Sequence, residues 1–154
     1  MSVPLSEDDR ANAQFAIGVE LAARDLYQAA IDAGASGSAW AIFVSQHAQY
    51  AQRIAGLTGI SANTADAAVY QARLADFQGS RPANAAYELE NTLVATHATL
   101  LGQISSSNAA NVLASIISME SRQAAYLAER SGRGDNFDAL FTCTGQPLVR
   151  AVVQ

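Results

Sequence analysis

Ile116-Ile117-Ser118-Met119-Glu120-Ser121-Arg122-Gln123-Ala124-Ala125-Tyr126-Leu127 reads as a helix with a carboxylate on its apolar side. At 100° per residue, Leu113, Ile116, Ile117, Ala124 and Leu127 fall within about 60° of Glu120, whereas Ser118, Arg122 and Glu129 fall opposite. Glu120 therefore points into the core. A carboxylate moved from water into an apolar interior costs several kcal/mol unless something compensates its charge. A residue so placed needs a partner, and the rest of the chain supplies candidates.

The same pattern recurs three times. Ser6 with Glu7, Asp8 and Asp9 is a helix cap with an acidic first turn, opening a long helix predicted to run to residue 34. On it, Ala13, Ala16, Ile17, Ala23, Tyr27 and Ile31 share the face of Glu20, while Gln14, Asp25, Gln28 and Asp32 turn away. A glycine and serine connection leads to a second helix over 39–57, closed by Gly59. There His47 is flanked by Trp40, Phe43, Val44, Tyr50, Ala51 and Ile54, with Ser45, Gln49 and Gln52 behind. Pro82 opens a third long helix over 82–104. Its Glu90 sits among Ala83, Ala86, Tyr87, Leu93, Val94, His97 and Leu101. Ser107 is the predicted cap of the fourth, which carries Glu120 and ends near 131–132.

Between the second and third long helices, residues 60–81 hold a shorter amphipathic piece over 66–77 with Val69, Tyr70, Leu74 and Phe77 as its stripe. A link of this length can traverse a helix pair lengthwise, so the third helix need not run against the second. Residues 135–154 carry Phe137, Leu140, Phe141, Leu148 and Val149 and are predicted to pack as a tail against the bundle.

Composition agrees with an all-α class. The chain of 154 residues is 50% hydrophobic with three prolines, and about a fifth of it is alanine, the strongest helix former. It reads as one domain over 1–154, with the bundle over about 7–131 and the tail over 135–154. Nine basic residues, all arginine and scattered, face fourteen acidic ones for a net charge of −5. That balance argues against nucleic acid as a partner. Cys143 is the sole cysteine, which excludes an intrachain disulfide framework and a thiolate cluster. The acidic start has no signal-peptide pattern and no apolar run reaches bilayer length, so the expectation is a soluble, cytoplasmic protein with no membrane partner.

Four long helices place Glu20, His47, Glu90 and Glu120 in one layer, with His97 two turns from Glu90 on the same face. Three carboxylates and one neutral imidazole would repel one another there, and a bound cation removes that cost. Oxygen and nitrogen donors without sulfur suit iron, manganese or zinc. Three of the four also have an ordinary explanation. Glu20 has Arg24 one turn on, Glu90 could bond to His97 or Tyr27, and an inward His47 could be a hydrogen-bonded core histidine.

The segments Val19-Glu20 with Leu26-Tyr27, Leu89-Glu90 with His97, Val44-Ser45-Gln46-His47 and Met119-Glu120-Ser121-Arg122-Gln123 resemble the ligand helices of the ferritin-like superfamily, specifically the bacterial ferritin-like domain proteins linked to desiccation response. The resemblance covers roughly residues 11–130. It implies a ferritin-like four-helix bundle with a long crossover between its second and third helices that contains a short helix. The complete family site takes one glutamate from each of two helices and Glu-x-x-His from the other two. Here Val44 stands at the second helix's glutamate position and Gln123 at the fourth helix's histidine position. The resemblance therefore implies a reduced, mononuclear iron or manganese site on Glu20, His47 and Glu120, with Glu90 as a fourth or outer ligand and Gln123 and His97 as secondary donors, and a role in metal handling or oxidative-stress protection. The alternative is a metal-free bundle serving as an assembly or interaction module. Gly18, Ala22 and Ala29, on the back of the first helix, are read as a face that lets subunits of a homo-oligomer approach closely.

Overall fold

A computed structural model describes residues 5–151. Met1 to Pro4, part of the acidic start considered above, and the tail's end at 152–154 lie outside the described residues. The described chain is all-helical. Six helices follow in order: α1 Glu7–Asp32, α2 Ser38–Thr58, α3 Ala67–Phe77, α4 Pro82–Leu101, α5 Ser107–Arg130 and α6 Phe137–Phe141.

Local chemistry sets most of the boundaries. The Ser6 hydroxyl accepts the Asp9 N–H at 3.0 Å and starts α1. Asp66 caps α3 by accepting from the N–H groups of Ala68 and Val69, each at 3.0 Å. α5 is capped by Ser106, one residue before the predicted Ser107, because the Ser106 hydroxyl reaches the Ala109 N–H. α2 ends where Gly59 turns left-handed at φ 67° and donates to Ala55 O, a conformation that costs glycine little. α4 stops at Leu101, short of the predicted residue 104.

Side-chain contacts give the helix directions. Tyr27 meets Trp40, and Glu20, two turns earlier, meets His47 seven residues later. α1 and α2 are therefore antiparallel. Tyr27 also meets Glu90 while Glu20 meets His97, which makes α1 antiparallel to α4. Gln46 meets Gln123 and Phe43 meets Tyr126, so α5 is antiparallel to α2. α1 and α5 run one way and α2 and α4 the other, and the 59–81 segment carries the chain back from the end of α2 to the start of α4. Within it, the Asp66 N–H donates to Gly18 O at 2.8 Å, and α3 lies against α1 and α4.

That crossover changes the meaning of the small residues on α1. Gly18, Ala22 and Ala29 are buried inside the chain, Gly18 beneath Thr64 and Asp66. Gly18 admits the chain's own crossover, and all three are covered within the chain, so they do not form a free face for a second subunit.

Two apolar clusters fill the interior. One gathers Val19, Leu26, Tyr27, Phe43, Phe77, Leu89, Leu93 and Leu127; the other gathers Ile17, Leu21, Tyr50, Ile54, Leu100, Leu113 and Ile116. The polar layer sits between them. After α5, α6 packs against α5, and the segment that follows it lies along the outside of α4. The Tyr87 hydroxyl donates to Ala139 O at 3.4 Å, the Thr144 N–H to Asn91 Oδ1 at 3.2 Å and the Leu148 N–H to Thr96 Oγ1 at 2.9 Å.

Candidate metal centre

Residues seven apart on a helix lie on one face two turns from each other. α1 presents Glu20 and Tyr27 this way, and α4 presents Glu90 and His97. Because the two helices are antiparallel, Tyr27 lies level with Glu90 and Glu20 lies level with His97. α5 adds Glu120 to the second level, and His47 of α2 stands between the levels. Glu20, His47, Glu90, His97 and Glu120 are all completely buried.

His47 bridges two carboxylates. Its Nδ1 is 2.7 Å from Glu20 Oε2 and its Nε2 is 3.0 Å from Glu90 Oε1. A neutral imidazole carries one N–H, so both contacts are hydrogen bonds only when the ring is protonated. Burial alone favours the neutral ring, but the charge of Glu90 and the hydrogen bond to Glu20 prevail and hold His47 protonated well above the usual histidine range. Glu90 Oε1 also accepts the Tyr27 hydroxyl at 2.5 Å. Burial, reinforced by Glu90, keeps that phenol protonated far above the ordinary tyrosine range.

The second level is less satisfied. His97 Nδ1 lies 2.9 Å from Glu120 Oε2, and His97 Nε2 lies 3.3 Å from Glu20 Oε1. Burial pushes His97 toward its neutral form despite Glu20. For Glu20, burial pulls upward, but the hydrogen bond and charge of His47 outweigh it and hold the carboxyl below its ordinary value. Glu120 goes the other way: burial first, then the charges of Glu20 and Glu90, raise it well above the carboxylate range. Without a cation, Glu120 is the carboxyl that keeps its proton. Glu20 Oε1, His97 Nε2 and Glu120 Oε1, with Glu90 Oε2 and Gln123 Oε1, lie outside the well-formed hydrogen bonds of the layer, and the proton that Glu120 keeps is shared with Glu20.

Glu20, His97 and Glu120 each offer a donor atom within 4.8 Å of the others. Two donors held about 2.1 Å from one ion stand about 3.0 Å apart at right angles and about 3.4 Å apart in a tetrahedron. The 3.3 Å between Glu20 Oε1 and His97 Nε2 falls in that window. The complete burial, the oxygen and nitrogen donor set and this one spacing fit a single cation of the iron, manganese or zinc kind.

The four residues singled out in the sequence thus share one buried layer, but their roles divide differently. His97, ranked there as a secondary donor, joins Glu20 and Glu120, whereas both nitrogens of His47 are taken by carboxylates. Gln123 is buried and donates to Gln46 Oε1 at 2.6 Å; Gln46 is half-buried, at the margin of the inward face of α2. Val44 packs at the edge of the first apolar cluster. The Arg24 partner is Asp25 at 2.7 Å rather than Glu20, since Glu20 points inward and Arg24 is partly exposed. No protein-family model, curated protein or solved structure matches this chain. No described helix is long and apolar enough to cross a membrane.

Proposed function

We propose that this chain is a ferritin-like four-helix bundle whose core holds one iron or manganese ion on Glu20, His97 and Glu120, in metal handling or oxidative-stress protection. One observation carries the assignment: donor atoms of Glu20, His97 and Glu120, from three helices, converge within 4.8 Å of one another in a fully buried layer. The helix directions and the crossover between α2 and α4 suit such a bundle. Protonated His47 is the resident cation of the first level, where it neutralises charge on Glu20 and Glu90. That leaves room for a single ion at the second level, in keeping with Val44 and Gln123 at the positions where a two-metal site needs ligands. An ion bound there supplies a Lewis-acidic, redox-active centre. His47 orients Glu20 toward it, and Tyr27 and His47 together fix Glu90 beside it.

The test is elemental analysis of protein purified without chelator. One iron or manganese per chain is the expected content. Glu120→Ala should abolish it, and Glu88→Ala, on the exposed side of α4, should leave it intact. Equal loss from both variants would overturn the ligand assignment. A complete absence of metal, with no uptake of Fe(II) or Mn(II), would favour a metal-free assembly or interaction module. That second reading has its own support, because protonated His47 and protonated Glu120 satisfy part of the layer without an ion.

A further inference from the structure

We propose that a cleft at the end of the molecule where α2 and α4 begin binds small aromatic carboxylates. The cleft has a volume of about 420 Å³, within the range of small-molecule sites. Its apolar side is aromatic: Trp40, Phe43 and Tyr126 line it, with the rings of Phe43 and Tyr126 edge to face at 5.9 Å. Its charged side is cationic, formed by Arg81 and Arg130, and no Asp or Glu is among the lining residues. In a chain with fourteen acidic residues against nine basic ones, a wall free of carboxylates is a local reversal of charge.

The arginine ion pairs among the described residues are Arg24–Asp25 and Arg133–Glu88, so Arg81 and Arg130 stand without a carboxylate partner. A guanidinium presents a planar fork of N–H donors that matches a carboxylate in two parallel hydrogen bonds. The neighbouring indole and phenol rings offer faces and edges on which a second ring stacks. α2 also opens on this cleft at Gly37 without a side-chain cap, which adds a favourable dipole end for negative charge. A neutral ring would use only one wall of the cleft, and an inorganic anion only the other. An aromatic carboxylate uses both.

Trp40 is the sole tryptophan and lies in the cleft, so its fluorescence reports occupancy directly. The full chain, stripped of metal, is titrated with benzoate and 1-naphthoate, with benzyl alcohol and inorganic phosphate as controls and calorimetry as a second readout. Saturable binding of the carboxylates is expected, about tenfold or more tighter than either control. Arg81→Gln with Arg130→Gln should weaken it by at least about tenfold, while Arg10→Gln, on the first turn of α1 outside the cleft, should leave it unchanged. Circular dichroism melting checks that the double variant is folded. Equal binding of benzyl alcohol would mean a merely apolar patch, and equal binding of phosphate a merely anionic one; either overturns the proposal. So does the absence of saturation by about 10 mM. Because the titration needs no metal, its failure leaves the metal assignment standing, and the converse holds.

Discussion

His47 and Glu120 differ in what their loss should do, although both are buried polar residues of one layer. His47→Leu removes the cation between Glu20 and Glu90 and strands two carboxylates in the interior. Breaking a buried charge pair from one side costs about 3–5 kcal/mol, and urea unfolding of the metal-free variant should show a loss of that order. Glu120 keeps its proton when no ion is bound, so Glu120→Gln retains a neutral group that can donate to Glu20 and accept from His97. Its metal-free stability should stay within about 1 kcal/mol of the parent, while metal affinity falls. A loss for Glu120→Gln as large as that for His47→Leu would show that Glu120 is ionised in the metal-free protein.

Among the elements, two tethers hold the helices in place. Asp9, in the first turn of α1, is buried and accepts from the Ser105 N–H at 3.0 Å, the Ser105 hydroxyl at 2.6 Å and the Ser106 N–H at 3.2 Å. It thereby ties α1 to the link between α4 and α5. The Ser105 hydroxyl above all, then the backbone N–H groups, hold its carboxyl below the usual range. A folded-state value below the unfolded one adds stability that is fully present above the unfolded pKa and is lost as pH falls through the folded one. Asp9→Asn should therefore lower stability at neutral pH and flatten the fall in stability below about pH 4, measured as melting temperature against pH. An unchanged acid slope would show that another carboxylate dominates. The second tether is the tail. A Cβ on Gly145 would overlap the Asn91 carbonyl, so Gly145→Ala should lift the 142–151 segment from α4. Amide exchange there should quicken while α1 and α2 keep their protection, and unchanged exchange would refute the close approach.

For the whole molecule, a ligand bound only by the folded state raises stability by mass action, about 2.7 kcal/mol when free ligand is a hundred times its Kd. Fe(II) or Mn(II) should therefore raise the melting temperature of the parent, and not that of Glu120→Ala. Superimposable melting curves with and without metal would remove the single-ion reading. The two apolar clusters on either side of the layer predict that the metal-free protein stays folded, since neither cluster depends on an ion.

What the chain determined alone was local and periodic. Alanine-rich helices with serine, aspartate and proline at their starts follow from backbone chemistry, and a 3.6-residue period suffices to place Glu20, His47, Glu90 and Glu120 on inward faces. Periodicity along one helix says nothing of which level of a neighbouring helix lies across from it. That depended on the antiparallel pairing of α1 with α4, which sets His97 opposite Glu20 and Tyr27 opposite Glu90, and on the placement of His47 between the two levels. The same limit applies to Gly18: a small residue announces a close approach, but only the packed structure decides that the crossover of the same chain makes it. The protonation pattern was likewise out of reach, because it arises from burial and from charges brought together by four separate helices.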